Sequence, residues 1–235
     1  MRSLRFIKGY SLSENCPRSL ANAVGNARRS GLWAGIGSRI LEPMSVAEEI
    51  ELLSEEEYLA AEESAEYKSE YVAGVVYPMA GALVGHNRVA RNALGELHAR
   101  LRGKPCEPFG SDMKVRIDSF KGLRFYYPDV MIDCGDAGSG EAFLTAPRVV
   151  IEVLSPSTRR TDLSEKLEAY LSISGLVAYL IVEPSEPFVR EYRPVEDGEP
   201  LRKEYRSLEK VVELPEIDAE LPMQELYEGI EVDSR

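Results

Sequence analysis

The pattern of apolar and polar residues is clearest between Pro147 and Tyr170. The run from Val149 to Leu154 is short, apolar and rich in β-branched residues, and prolines lie on both sides of it. This pattern predicts a central strand that is buried on both faces. Glu152 interrupts the run, and a buried carboxylate costs several kcal/mol unless a cation lies close to it. The pattern therefore indicates that Glu152 has a partner, either a metal ion or a lysine.

A helix is predicted after this strand. Asp162, with Glu165 three residues later, has the spacing of a capping box, which predicts that the helix begins at Asp162. The apolar residues that follow at helical spacing are Leu163, Leu167, Tyr170 and Leu171. Lys166 borders this apolar stripe, so its side chain can reach back over the end of the strand toward Glu152.

The rest of the chain alternates between helical and strand patterns. Ser54 and Glu57 predict a capped helix start. The residues from Tyr67 onward predict a helix end or a strand, followed by a turn at Gly74 and a strand over residues 75–77. Residues 87–101 form an amphipathic pattern that is typical of a helix. Further strands are predicted over residues 112–117, 124–133, 177–182, 189–192 and 201–205. This order predicts a mixed α/β sheet with helices on its faces.

Residues 1–43 differ from the rest in composition. They contain seven basic residues and two acidic ones, with frequent Gly and Ser and little apolar periodicity. We expect a disordered N-terminal extension here and a folded domain over residues 44–235. The alternatives are a basic arm that touches nucleic acid, an organelle-targeting peptide, or a translation start that was chosen upstream of the better one at Met44.

Net charge and cysteine content exclude several classes of protein. The net charge of −12 argues against a broad basic surface that binds nucleic acid non-specifically. The three cysteines, Cys16, Cys106 and Cys134, are too scattered for a structural zinc site. Their low, odd number predicts reduced thiols in the cytoplasm and no disulfide framework. Because there is no run of 18 apolar residues, we expect no membrane span.

Two acidic residues in the predicted core could carry chemistry. Asp129 follows Pro128 at the start of one strand, and Glu152 lies in the next core strand. Two neighbouring strands can place both carboxylates side by side at one sheet edge, where they would bind a hard divalent cation such as Mg²⁺. That cation would act on a phosphodiester as a Lewis acid and lower the pKa of a bound water. Lys166 would orient the water or stabilise the developing negative charge.

These motifs resemble a known nuclease family. A PD pair, a spacer, an acid in an apolar strand and a lysine resemble the PD-(D/E)xK nuclease superfamily. The segments PDV, VIEVLSPSTRRTDLSEKLEAY and YKSEYVAGVVYPMAGALVGHN resemble the Uma2 family of restriction endonucleases, over about residues 44–227. The resemblance implies a restriction-endonuclease-like mixed central sheet flanked by helices. It also implies an endonuclease that uses Mg²⁺ or Mn²⁺, acts on DNA and can work as a homodimer.

The resemblance also implies a role for each residue of the site. Asp129 and Glu152 would be the metal ligands, and Glu70 would be an acid on a helix that completes or supports the site. The superfamily usually has a lysine two residues after the second acid, but position 154 is Leu. Lys166, from the following helix, would replace it as the catalytic lysine.

The sequence leaves other interpretations open. The acidity and the missing lysine at position 154 also fit a catalytically silent nuclease-fold module that binds nucleic acid or protein. A glycoside hydrolase with two carboxylates is less favoured, because the only tryptophan, Trp33, lies in the N-terminal extension. His86 could contact substrate, although a capping or surface role is the simpler interpretation. Asp112 could also approach the site from the start of its strand.

Overall fold

The computed structural model describes residues 52–136 and 138–231. The predictions for residues 1–43, together with Cys16 and Trp33, lie outside this part of the chain. Five α-helices are present in the described residues: α1 (Glu55–Glu63), α2 (Val84–Leu101), α3 (Arg159–Asp162), α4 (Glu165–Leu171) and α5 (Met223–Leu226). None of these helices is long and apolar enough to cross a membrane.

Thirteen strands are present in the same residues. The first seven are β1 (Ser69–Val72), β2 (Val75–Pro78), β3 (Glu107–Gly110), β4 (Lys114–Ser119), β5 (Gly122–Tyr126), β6 (Val130–Asp133) and β7 (Phe143–Leu144). The remaining six are β8 (Val149–Val153), β9 (Ala178–Glu183), β10 (Phe188–Arg193), β11 (Leu201–Tyr205), β12 (Val211–Leu214) and β13 (Ala219–Pro222). A short 3₁₀ turn, Pro215–Ile217, separates the last two.

The larger sheet has six strands in the order β11-β10-β9-β8-β6-β3. Only β8 and β9 pair in parallel, and the other neighbours are antiparallel. All five residues of β8 are buried, which confirms the prediction of a central strand there. The parallel step from β8 to β9 requires a crossover, and α3 and α4 form it. The sheet is therefore mixed, as predicted.

A second sheet contains five strands in the order β2-β1-β5-β4-β7. The single strand predicted over 124–133 was wrong, because β5 belongs to this sheet and β6 to the six-stranded one. Pro128 has no N–H to donate to a ladder, so the chain leaves one sheet before it and enters the other after it. Asp129 therefore lies at the crossing between the sheets.

Local sequence accounts for the first hairpin and the first helix. Ser54 and Glu57 form the predicted capping box at the start of α1. Ala73 and Gly74 both have positive φ, 48° and 96°, and connect β1 to β2 as a two-residue turn. Glycine tolerates this left-handed conformation, which matches the right-handed twist of the flanking strands.

The core has two main parts, one on each face of the six-stranded sheet. Helix α2 packs Val89, Ala93, Leu97 and Leu101 against one face, together with the C-terminal strands. On that face β8 contributes Val149, Ile151 and Val153. The opposite face receives Val150 of β8 and Leu154, which directly follows β8, and it packs against α4. Because side chains alternate along a strand, Glu152 lies on the α4 face.

A disulfide joins Cys106 to Cys134. Cys106 directly precedes β3 and Cys134 directly follows β6, and these strands pair antiparallel with Glu107 opposite Asp133. The expectation of reduced thiols was wrong for these two cysteines. Twenty-eight positions separate them in sequence, and strand pairing brings them together in a way that their number and spacing do not reveal.

Candidate functional site

The antiparallel pairing of β6 and β8 places Asp129 beside Glu152. Val130 lies opposite Ile151 in the register, so the residues just outside that pair are Asp129 and Glu152. The Asp129 carboxylate is fixed in this position, because its Oδ2 accepts a hydrogen bond of 2.8 Å from the backbone N–H of Val153. The structure therefore brings together the two acids that the sequence singled out.

Helix α4 places the ammonium group of Lys166 among three carboxylates. Its Nζ lies 2.8 Å from Glu70 Oε1, 3.1 Å from Glu152 Oε1 and 3.6 Å from Asp162 Oδ1. Lys166 and Glu152 are each only 4% exposed. The reach of Lys166 back to Glu152, predicted from its position on the helix, is confirmed. We call Glu70, Asp129, Glu152, Asp162 and Lys166 the acidic cluster.

Two members of the acidic cluster lie on elements that were not predicted. Asp162 does not cap a helix; it is the last residue of α3, and its side chain is buried. Ser164, with φ −133° and ψ −82°, breaks the helix before α4 begins. Glu70 was expected on a helix but lies in β1. The spacing of four residues between Asp162 and Lys166 was the sequence signal for the contact between these two side chains.

Two further side chains hold the acids in place. The Tyr170 hydroxyl donates a 2.8 Å hydrogen bond to Glu152 Oε1. His86, in the first turn of α2, has its Nε2 3.2 Å from Asp129 Oδ2 and is mostly buried, so the surface interpretation of His86 was wrong. Asp112 is not part of the site: its side chain is almost fully exposed and pairs with Lys68.

The charges of the acidic cluster are not balanced. Burial raises the pKa of Glu152 well above its ordinary value, and the nearby acids raise it further against the effect of Lys166. Burial also raises the pKa of Asp162. Burial alone would lower the pKa of Lys166, but the surrounding carboxylates outweigh it and raise that pKa. Four carboxylates thus share one lysine and His86, which leaves an excess of negative charge.

The donor atoms of the cluster suit a hard cation. All of them are carboxylate oxygens, and Glu70 Oε1 and Asp162 Oδ1 are buried without a hydrogen-bond partner, although both face the Lys166 ammonium. Among the residues that the structure describes, no three acidic, His or Cys side chains are arranged to hold a metal ion by themselves. Magnesium commonly uses one or two carboxylates and completes its shell with water and substrate phosphate. Asp129 and Glu152 fit such an open site.

Two clefts in the described part of the chain lie away from the acidic cluster. One of about 460 Å³ is lined by residues of β10 and β11, and another of about 350 Å³ lies between the β4–β5 hairpin and α4. Neither is lined by the acidic cluster. The side chains of His86, Asp129 and Glu70 retain 13–16% exposure. We locate the site by its chemistry, and these three side chains mark the side from which a substrate would enter.

Comparison with known proteins gives a family model match over most of the described chain. The model of the Uma2 family, described as "Putative restriction endonuclease", matches residues 55–224. Two uncharacterized proteins of Synechocystis sp. are also similar. One is 32% identical over 155 residues, which are 65% of this chain and 86% of that protein. The other is 35% identical over 131 residues, which are 55% of this chain and 68% of that protein.

A solved structure has the same fold. It is the crystal structure of a putative nuclease belonging to DUF820 from Anabaena variabilis, and it matches with a TM-score of 0.58. The alignment covers 73% of this chain and 96% of that chain, at 19% identity. At this level of identity the likeness concerns the fold alone, and it supports the mixed sheet with flanking helices.

Proposed function

This chain belongs to the Uma2 family, whose model is described as "Putative restriction endonuclease", and on this basis we propose that it is a metal-dependent endonuclease that hydrolyses phosphodiester bonds of DNA. One observation supports the proposal most: Asp129 and Glu152 lie on neighbouring strands, with Lys166 Nζ 3.1 Å from Glu152. A pair of carboxylates and a lysine are the groups that such a reaction needs.

In this proposal Asp129 and Glu152 bind Mg²⁺ or Mn²⁺, and Glu70 supports the site. A bound ion supplies Lewis-acid chemistry to a phosphate oxygen and lowers the pKa of a water molecule. The backbone N–H of Val153 and the side chain of His86 hold the Asp129 carboxylate, and the Tyr170 hydroxyl holds Glu152. These contacts limit the orientations of both ligands before substrate arrives.

Lys166 acts as a cation in this proposal. Its raised pKa keeps Nζ protonated at neutral pH, so it can donate hydrogen bonds but cannot accept a proton. A protonated amine beside the ligands favours the negative charge that develops on the phosphate during attack. Moving Nζ from the carboxylates toward a phosphate would also free carboxylate oxygens for the metal ion.

On the same basis we expect the protein to work as a homodimer. The cytoplasmic location was predicted from reduced thiols, and the Cys106–Cys134 disulfide removes that support. The net charge of −12 disfavours binding to DNA through a basic surface alone, so the metal ion would provide much of the attraction to phosphate. Light scattering of the purified protein, with and without duplex DNA, measures the mass of the assembly and tests the dimer.

The first test is metal binding by calorimetry, with Mg²⁺ and Mn²⁺ titrated into the wild type and Asp129→Asn. We expect binding to the wild type and at least about tenfold weaker binding to the variant, since a ligand is lost. Asp118→Asn is the matched control, because Asp118 is an exposed aspartate on β4 outside the cluster. It should bind metal like the wild type.

Cleavage of supercoiled, linear and single-stranded DNA completes the test. We expect cleavage by the wild type and by Asp118→Asn in Mg²⁺ or Mn²⁺, and none by Asp129→Asn. Failure of the pure wild-type protein to cut any of these forms with either metal would contradict the proposal. If DNA were instead retained without metal and equally by Asp129→Asn, the silent binding module would be the better description.

A further inference from the structure

The 350 Å³ cleft on α4 has a lining that the acidic cluster does not use. It lies between the tip of the β4–β5 hairpin and the outer side of α4, the helix that carries Lys166. Its charged and aromatic lining residues are Phe120, Lys121, Arg124, Glu165 and Glu168. Three serine hydroxyls, from Ser119, Ser164 and Ser172, complete the polar part. Its volume is within the range of small-molecule sites.

An exposed aromatic ring forms one wall of the cleft. Phe120 is 89% exposed and is the first residue of the two-residue loop between the paired Ser119 and Gly122. The ring makes no contribution to the core in this position. Exposed aromatic rings in nucleic-acid-binding proteins stack on unpaired bases, and they do so with little dependence on sequence.

A buried arginine faces the cleft with unused donors. The Arg124 side chain is only 7% exposed, and its Nη1 donates to Ser119 Oγ and to the Gly122 carbonyl at 2.7 and 2.8 Å. Its Nε has no hydrogen-bond partner in the described part of the chain, and Glu165 Oε1 lies 3.9 Å away. The loop carbonyl therefore fixes the guanidinium. Nε is buried, but Nη2 makes no hydrogen bond in the described residues and is the donor that can reach a phosphate oxygen.

Two carboxylates give the cleft a mixed charge. Glu168 pairs with Lys121 at 2.5 Å, and Glu165 Oε1 accepts the Tyr126 hydroxyl at 3.0 Å. A simple anion gains little from such a lining, because the two acids offset the two basic residues. A nucleotide suits it better: the phosphate meets the basic groups, the base stacks on Phe120, and the amino or imino groups of the base can donate to a carboxylate.

The cleft is close to the acidic cluster. Tyr126 connects the two, since its hydroxyl contacts Glu165 and its ring centroid lies 5.2 Å from Lys166 Nζ. By contrast, the 460 Å³ cleft is lined by Arg193, whose three nitrogens each already donate a hydrogen bond, to Glu191, Glu216 and the Glu213 carbonyl. We infer that the cleft on α4 binds one unstacked nucleotide of the DNA strand, next to the bond that is cut. This inference rests on the proposed function.

The experiment measures strand binding without cleavage. A fluorescein-labelled single strand of ten mixed deoxynucleotides is titrated with protein in a chelating buffer, and anisotropy gives the Kd. A second probe has the same backbone with an abasic residue at every position. We expect Phe120→Ala to raise the Kd for the intact strand about tenfold, through lost stacking, and to leave the abasic strand unaffected.

Tyr67→Ala is the matched control, because Tyr67 is also an exposed aromatic residue, at 69%, and does not line the cleft. It should bind both probes like the wild type. Lys121→Gln should weaken both probes to a similar extent, because it removes a phosphate contact. Because Phe120 is highly exposed, we expect Phe120→Ala to stay folded. Circular dichroism of the variant checks this.

The inference is overturned if Phe120→Ala and the wild type bind the intact strand equally, if the loss is the same for the abasic strand, or if the wild type binds neither probe. Because the chelator removes metal ions, these outcomes do not depend on cleavage. If Phe120→Ala weakened binding of the intact strand alone, and the wild type cut no DNA in Mg²⁺, the nucleotide site would be supported and the nuclease proposal rejected. If the wild type cut DNA and Phe120→Ala bound the intact strand as tightly as the wild type, the nuclease proposal would be supported and the nucleotide site rejected.

Discussion

Glu152 in β8 and Glu191 in β10 are buried glutamates of the same sheet, with exposures of 4% and 2%. Glu191 has a separate partner for each oxygen: Arg193 Nε lies 2.5 Å from Oε1, and the Tyr205 hydroxyl lies 2.8 Å from Oε2. Glu152 receives both of its hydrogen bonds, from Lys166 and Tyr170, at the same oxygen. The difference lies in how each carboxylate is paired.

The two surroundings also differ in charge. The partner of Glu191 is a guanidinium whose remaining donors contact Glu216 and a backbone carbonyl, so this group of residues is complete. The partner of Glu152 is a lysine that lies within 4 Å of two further acids. Burial of a glutamate is thus not by itself a sign of function. An excess of carboxylates over cations is the more specific sign, because another cation can bind there.

The largest expected effect comes from replacing each glutamate with glutamine. Glu152→Gln should lower Mg²⁺-dependent DNA cleavage at least about 100-fold, because it removes a metal ligand. Glu191→Gln should leave cleavage within about twofold and lower the free energy of unfolding by about 1–3 kcal/mol, because it weakens a buried charged hydrogen bond. Plasmid nicking and urea denaturation measure the two quantities. Equal losses of cleavage would remove the distinction between the two sites.

The next effect concerns the two cations. Lys166→Met should lower the free energy of unfolding at neutral pH by about 3–5 kcal/mol, since the buried Glu152 and Asp162 and the partly buried Glu70 lose their shared partner. Arg193→Met should cost less, about 1–3 kcal/mol, since Glu191 keeps the Tyr205 hydroxyl. Urea denaturation measures both. A larger loss for Arg193→Met would mean that the Glu191 group contributes more to stability than the acidic cluster.

The smallest effect is a pH dependence of stability that comes from the acidic cluster. The pKa values of Glu152 and Asp162 are raised in the folded protein, so the folded state binds protons more tightly than the unfolded state does. Their contribution to stability is therefore fully present below their ordinary pKa values and is lost as pH rises through the raised values. The free energy of unfolding of the wild type should fall over this range relative to Glu152→Gln.

Denaturation of both proteins at a series of pH values above about 4.5, the ordinary pKa of a glutamate, measures this difference. Glu191→Gln, outside the acidic cluster, is measured in the same series for comparison. If the free energy of unfolding of the wild type instead rose relative to Glu152→Gln with increasing pH, the expected direction of this pH dependence would be contradicted. It would mean that Lys166 stabilises the charged form of Glu152 more than burial destabilises it.

The sequence predicted the parts of the site that depend on local pattern. An apolar run with prolines on both sides indicated β8, and the helical position of Lys166 indicated its reach to Glu152. Neighbouring strands then placed Asp129 beside Glu152. In each case the geometry follows from strand or helix period over a few residues, or from the pairing of strands that are close in sequence.

The parts that were missed depend on contacts between distant segments. Glu70 comes from a strand of the other sheet, and His86 comes from a helix on the opposite face. Asp162 was assigned to a helix start because its spacing matched a cap, whereas packing of α3 buries it. No local period carries this information.

The Cys106–Cys134 disulfide makes a covalent ring of the segment that contains β3, β4, β5 and β6. The exposed loop with Phe120 and Lys121 lies within this ring, and so does Asp129. A protease such as trypsin that cuts after Lys121 would open the ring without separating its two halves. The two fragments of the nicked protein would stay joined until a reductant is added. The disulfide would therefore keep β6, which follows Asp129, attached to β3.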